Sequence, residues 1–228
     1  MRSAGFVFEI CTADVDEARK GGEAPADYVR RLADAKARTA ARKIAGPNSG
    51  ATSPVDTPEV GDFGGRKMPA GTPALLETTV IIGADTVVVL EGEILGKPAG
   101  EAEASAMLKR LSGRSHEVHT GMALLRLPDG AARILEEVTL VDFAPMTRRE
   151  IDDYVATGEP SGKAGAYAIQ GLGGRFVRRV SGSYFNVMGL PVARLYEELL
   201  AMGIEADALA PNAVKDTYTL WSERPGNL

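Results

Sequence analysis

The chain has 228 residues, an ordinary balance of apolar and charged side chains, and a formal net charge of −5 without acidic or basic blocks. That length supports one sizeable core, and the lack of a basic stripe removes the electrostatic footprint that a nucleic-acid polymer requires. Cys11, the single cysteine, can neither staple the fold nor form a cysteine metal cluster; no apolar run approaches a membrane span and no secretory pattern follows Met1, so a cytoplasmic protein is expected.

In chain order, Phe6–Ile10 reads as a short strand, and Asp27 to about Lys43 as a helix with Val29, Leu32, Ala33, Ala37 and Ala40 at helical spacing. Lys36 falls on the same apolar stripe. From Ile44 to about Thr78 frequent glycines and prolines break any regular period, which predicts a flexible, disordered insertion. Val80–Leu90 is too continuously apolar for a strand with one wet face and reads as a central strand covered on both sides. Glu91-Gly92 turns the chain, and Glu101–Leu111 forms a helix that buries Ala104, Met107, Leu108 and Leu111 and stops at Gly113. Thr120–Leu127 and Ala132–Phe143 flank Pro128-Asp129-Gly130 and predict a hairpin. Thr147 and Glu150 form a capping box for a helix through Val155. Ala166–Ile169 and Phe176–Val180 read as strands around a glycine-rich loop, and Pro191 opens a helix through Met202. The tail from Pro211 is weakly patterned, with Trp221 its one strong hydrophobe. The fold class is mixed α/β.

Some residues resist a purely structural reading. Burying the charge of Asp85 in an apolar strand costs several kcal/mol unless the carboxylate is paired or metal-bound. Asp85 either caps a neighbouring loop or serves as a general base or metal ligand at a strand's carboxyl end. Lys36 poses the same question with opposite charge: it snorkels to solvent or serves a site. Lys97, in Leu95-Gly96-Lys97-Pro98, reads alone as a surface lysine. Asp14, Asp16 and Glu17 form an acidic group that is either solvated or available to a cation. A magnesium-bound nucleoside triphosphate needs oxygen ligands for the metal and cations for the phosphates. Asp85 with Glu17 supplies the first set, and Lys36, Lys97 and Lys163 the second, provided they converge. His116 and His119, three residues apart on an extended segment, point to opposite faces and read as structural. Gly171-Leu172-Gly173-Gly174 reads as a tight loop rather than a phosphate cradle.

The ordered series Asp16-Glu17, Leu32-Ala33 with Lys36-Ala37, Gly83-Ala84-Asp85-Thr86-Val87-Val88, Gly96-Lys97-Pro98 and Leu111-Ser112-Gly113-Arg114 resembles the Maf family. It continues with His119-Thr120-Gly121, Lys163-Ala164-Gly165-Ala166-Tyr167, Ile169-Gln170-Gly171 and Asn186-Val187-Met188-Gly189-Leu190-Pro191. The resemblance spans about Ala4 to Gly203. It implies a Maf/Ham1-like (ITPase-like) fold, a mixed twisted sheet flanked by helices with two lobes around a cleft, often paired as a homodimer. The implied organisation is one domain over residues 1–210, interrupted at about 44–78, with an extension at 211–228. The implied reaction is attack of water on the α-phosphorus of a nucleoside triphosphate, releasing pyrophosphate, with Mg2+ or Mn2+ as cofactor. By resemblance Asp85 is the proton acceptor and a metal ligand beside Glu17, Lys36 and Lys97 contact phosphate, and Lys163 is a further candidate. Thr86 and Gln170 match positions that mark the dTTP/UTP-preferring branch; an amide, which both donates and accepts, suits the imide edge of a pyrimidine. Two other readings follow from the same resemblance: a catalytically impaired, nucleotide-binding regulator of septum formation and cell division, and a 7-methyl-GTP pyrophosphatase, against which Thr86 and Gln170 argue. Family members open with a strand and a Ser-rich, Arg-bearing phosphate loop before the segment that matches Arg2–Phe6. Met1 therefore falls inside the helix after that loop, and a longer natural protein is expected.

Overall fold

The computed structural model describes residues 8–45, 78–204 and 218–220. Most of the glycine- and proline-rich stretch, Trp221 and the first residues of the chain lie outside the described residues. Strand β1 (Phe8–Ile10) precedes helix α1 (Pro25–Ala45); β2 (Thr79–Leu90), β3 (Glu93–Leu95) and helix α2 (Glu101–Leu111) follow. The long hairpin β4 (Ser115–Leu127) and β5 (Ala132–Phe143) leads to α3 (Arg148–Val155), β6 (Val177–Ser181), the single turn α4 (Tyr184–Val187), α5 (Val192–Ala201) and β7 (Tyr218–Leu220). None of the described helices is long and apolar enough to cross a membrane.

The strands form one sheet in the order β1-β7-β2-β4-β5-β6, with β3 on β2. β7 runs parallel to β1 and β2, whereas the β2–β4, β4–β5, β5–β6 and β2–β3 pairs are antiparallel. β4 covers one edge of β2 from Thr79 to Val89. On the other edge β7 pairs only with Val80–Ile82 and β3 only with Val88–Leu90. Between them, Gly83–Val87 meets no partner strand among the described residues, and the candidate site opens at this gap.

α1 lies on the sheet with Val29, Leu32, Ala33, Ala37, Ala40 and Ala41 buried, and Lys36 buried among them. Pro25 opens it where a missing amide hydrogen is harmless, Asp27 lies in its first turn, and Arg42 and Lys43 in its last match the helix dipole. Small residues let it come close. A Cβ on Gly83 would run into the Ala33 carbonyl and lie 2.7 Å from the Ala37 amide nitrogen. One on Gly121 would run into the Val29 carbonyl and lie 2.7 Å from the Arg30 amide nitrogen. The other face of the sheet packs against α5 through Val80, Ile82, Met122, Leu124, Leu195 and Leu199.

The helix over Glu101–Leu111 and its four buried residues match the expected pattern, as do the capping box at Thr147 and Glu150 and the strand Ala132–Phe143. β4 begins at Ser115, five residues before the expected start, and α1 continues through Ala45. The expected strand Ala166–Ile169 does not form. Ala164–Ala166 is a tight 3-10 turn instead, because Gly165 and Ala166 take φ of +65° and +61°, outside the range of a strand. Gly165 also sits against Val88, where a Cβ would come within 2.8 Å of Cγ2. Asp85 is not at a carboxyl end: it stands in the middle of β2, paired with Gly121 of β4.

His116 and His119 occupy opposite faces of β4, as the period of a strand requires. His116 is buried, its Nε2 2.9 Å from the Tyr167 hydroxyl and its ring edge-on to Phe143. Burial lowers its pKa to about 4 from an ordinary 6.5. Between these values the unfolded chain binds a proton that the folded chain refuses, so stability falls as pH drops from about 6.5 to about 4. The loss is about 3 kcal/mol. Urea titrations at pH 7 and pH 4 are expected to show this acid loss in the wild type and a smaller one in His116→Gln; equal losses would show that His116 is not its source.

Candidate active site

Asp85 faces α1 because it shares a sheet face with Gly83 and stands opposite Gly121, the two positions on which the helix backbone rests. The close approach brings the buried Lys36 onto it, with Nζ 2.6 Å from Asp85 Oδ1. The same ammonium lies 3.0 Å from Glu17 Oε1. The Lys36 side chain is 1% exposed and that of Asp85 11%, so this ion pair is shielded from water. Lys97, in the loop after β3, places Nζ 3.8 Å from Glu17 Oε2. Two carboxylates and two ammonium groups thus alternate along a short path.

Burial raises the Asp85 carboxyl above its usual value, Lys36 opposes the rise, and Glu17 adds to it. Glu17 shifts the other way: burial raises it, but Lys36 and Lys97 together hold it below the ordinary carboxylate range. Burial lowers Lys97, and the neighbouring Lys36 lowers it further against the pull of Glu17. Glu17 is held by its loop, whose Glu17 carbonyl accepts a 2.9 Å hydrogen bond from the Tyr28 hydroxyl. Asp16 turns back on that loop and accepts from the Ala18 amide at 2.9 Å, and Asp14 is exposed. Of the acidic group, Glu17 alone joins the Lys36 cluster.

A cavity of ≈ 330 Å³ opens beside the edge of β2 between β7 and β3, lined by Lys36, Asp85, Thr86, Lys97, Lys163 and Gln170 among others. Its size falls in the range of small-molecule sites, roughly 300–1,000 Å³. The sequence candidates therefore converge, with Glu17 attached through Lys36. The loop of Lys97 is tied to that of Lys163 by the Gly165 amide, which donates to the Gly96 carbonyl at 3.0 Å.

The backbone on both sides of Gln170 is tied by residues that the sequence reading did not single out. The Glu159 carboxylate accepts from the Leu172 and Gly173 amides at 2.8 and 2.9 Å and from the Tyr154 hydroxyl at 2.7 Å. That hydroxyl accepts from the Ala168 amide at 3.2 Å. The loop at Gly171–Gly174 is therefore a tight turn folded around a carboxylate, and a Cβ on Gly171 would lie 2.6 Å from Glu159 Cδ. Its only sequence sign is an acid standing a dozen residues before a glycine cluster.

Thr86 stands opposite Thr120 on β4, with their Oγ1 atoms 2.8 Å apart. His119 lies outside the cavity lining, its Nδ1 2.5 Å from Glu136 and its Nε2 2.9 Å from Glu117. Ring nitrogens aimed at different carboxylates do not converge on one ion.

A family model for Maf-like proteins matches residues 1–202. A dTTP/UTP pyrophosphatase of Carboxydothermus hydrogenoformans is 53% identical over 138 residues, 60% of this chain and 74% of that protein. The dTTP/UTP pyrophosphatase of Pelotomaculum thermopropionicum is 40% identical over 203 residues, 89% of this chain and 90% of that protein. That of Geobacter sulfurreducens is 41% identical over 203 residues, with 89% of this chain and 90% of that protein covered. Such agreement over most of both chains, added to the convergence of the motif residues on one cavity, places the chain in the Maf-like protein family.

Proposed function

We propose that this protein hydrolyses dTTP and UTP to the nucleoside monophosphate and pyrophosphate. The observation that carries the reading is the cavity beside the edge of β2 between β7 and β3, which joins a buried carboxylate–ammonium pair to a hydroxyl and an amide suited to a nucleobase. The names of the relatives point to the same substrates.

In this reading Asp85 takes a proton from water as its oxygen bonds to the α-phosphorus. The bond from that phosphorus to the bridging oxygen breaks, and its electron pair leaves with pyrophosphate. Lys36, 2.6 Å from Asp85, favours the ionised carboxylate that can accept the proton. Lys97 and Lys163 line the same cavity and would offset the charge of the phosphates.

The donor set fits a hard divalent cation. Asp85 and Glu17 both lie within hydrogen-bonding distance of one ammonium group, and Mg2+ is commonly held by one or two carboxylates together with substrate phosphates. Asp85 and Glu17 would hold Mg2+ or Mn2+, which supplies charge neutralisation on the triphosphate when bound.

The test is pyrophosphate release from a panel of canonical nucleotides and 7-methyl-GTP with Mg2+ or Mn2+. Turnover of dTTP and UTP is expected to exceed that of the other nucleotides by about tenfold or more. Greater turnover of 7-methyl-GTP would overturn the nucleobase assignment, and nucleotide binding without pyrophosphate release would replace the enzyme with a nucleotide-binding regulator.

A further inference from the structure

Thr120 is fully buried on β4, and its Oγ1 donates a 3.0 Å hydrogen bond to the backbone carbonyl of Asn186. A carbonyl can only accept, and a threonine has one hydroxyl proton. With that proton committed, the 2.8 Å contact between Thr120 and Thr86 requires Thr86 to donate. The Thr86 proton is then committed as well, and its hydroxyl offers only lone pairs to the cavity it lines. The terminus of this relay is itself fixed. Asn186 Nδ2 donates to the Val118 carbonyl and to Thr139 Oγ1, both at 3.0 Å, and Thr139 in turn donates to the Ser183 carbonyl. Gly189, at φ +108°, lies beside Thr86, and even a Cβ there would be 3.6 Å from the hydroxyl oxygen.

We propose that Thr120 and the Asn186 carbonyl act together as a polarity relay that fixes Thr86 as a hydrogen-bond acceptor for the N3–H of uracil or thymine. The inference rests on the pyrimidine triphosphate reading above and adds the reason for its selectivity. Uracil and thymine carry a donor at N3, whereas cytosine carries an acceptor there. An acceptor-only hydroxyl pairs with the first two and leaves two lone pairs opposed in the third. A free threonine could turn its proton toward either, so selectivity requires the relay and not Thr86 alone. Thr120 and Asn186 are positioning residues and need touch no substrate.

Pyrophosphate release from UTP, CTP and 3-deaza-UTP, in which C–H replaces N3–H, tests the relay in the wild type, Thr120→Val and Thr120→Ser. The wild type is expected to prefer UTP over both analogues by about tenfold or more in kcat/KM. Thr120→Val keeps the shape but removes the relay, and Asn186 O keeps the Gly189 amide at 2.9 Å. Its UTP-to-CTP preference is expected to fall by about tenfold, while Thr120→Ser restores it. Thr120→Ala, which adds no new contact, serves if the valine variant fails to fold. A folded Thr120→Val or Thr120→Ala with the wild-type preference overturns the relay, as does wild-type turnover of 3-deaza-UTP equal to that of UTP. If the wild type releases no pyrophosphate from UTP, the hydrolase reading fails, and calorimetric binding of UMP and CMP then judges the relay. A UMP preference that Thr120→Val removes upholds it; equal binding of the two by the wild type overturns it.

Discussion

Asp85→Asn is expected to lower kcat for UTP by about 10³-fold while UTP binding changes only a few-fold, since a positioned general base contributes roughly 10²–10⁴-fold. The asymmetry follows from the position of the residue. Asp85 lies in the middle of β2 with its carboxylate on Lys36 at 2.6 Å, whereas Thr86, Lys163 and Gln170 contact the cavity from other positions. An asparagine keeps the shape and an oxygen that can still accept from Lys36, and Glu17 remains 3.0 Å from the same ammonium. Lys36 is therefore not left unpaired, the circumstance that makes loss of one partner in a buried pair so costly. What the variant loses is an acceptor basic enough to take a proton from water. Steady-state pyrophosphate release beside calorimetric UTP binding separates the two effects. Turnover within tenfold of wild type would exclude Asp85 as the base, and a loss explained wholly by weaker binding would leave it the metal-holding role alone.

The buried pair was visible in the sequence before any fold was known, because each member breaks an otherwise apolar pattern. Asp85 interrupts a continuous hydrophobic run, and Lys36 falls on the buried stripe of a helix. Their meeting was not visible: they are 49 positions apart, and the contact depends on how closely α1 approaches β2. Lys97, Lys163 and Gln170 carry no local sign, since loop polar residues look alike until tertiary structure brings them to one cavity. Lys97 and Lys163 were candidates only as cations that a triphosphate would need, and the family resemblance alone selected Gln170 and Thr86. Thr120 and Asn186 stand in the matched motifs but received no role, for a related reason. A threonine in a strand and an asparagine near a glycine are unremarkable in composition, and their importance lies in the direction of hydrogen bonds between distant segments. β3 and β7 are too short for periodicity to report. The failed strand at Ala166–Ile169 shows an apolar run overruled by backbone geometry, for Gly165 and Ala166 both take positive φ.

Gly121→Ala is expected to destabilise the fold by about 3 kcal/mol or more, at the upper end of the cost of overpacking a core. The new methyl would meet the Val29 carbonyl and stand 2.7 Å from the Arg30 amide nitrogen. Both are backbone atoms of α1, so no side-chain rotation relieves the clash. The helix must lift from the sheet or β4 must bend, and either movement exposes apolar contacts around Val29, Leu32 and Ala33. Displacement of α1 also carries Lys36 away from Asp85, linking this structural change to the site. Gly21→Ala is the matched control, because nothing lies within 4 Å of a Cβ there, and its effect is expected to stay within about 0.5 kcal/mol. Urea unfolding monitored by circular dichroism compares the two. Equal stability would mean that α1 does not depend on bare backbone at Gly121, and the account of how Lys36 is delivered to Asp85 would fail with it. Loss of stability in Gly121→Ala alone, with residual turnover falling further than the folded fraction, is the outcome that this close approach requires.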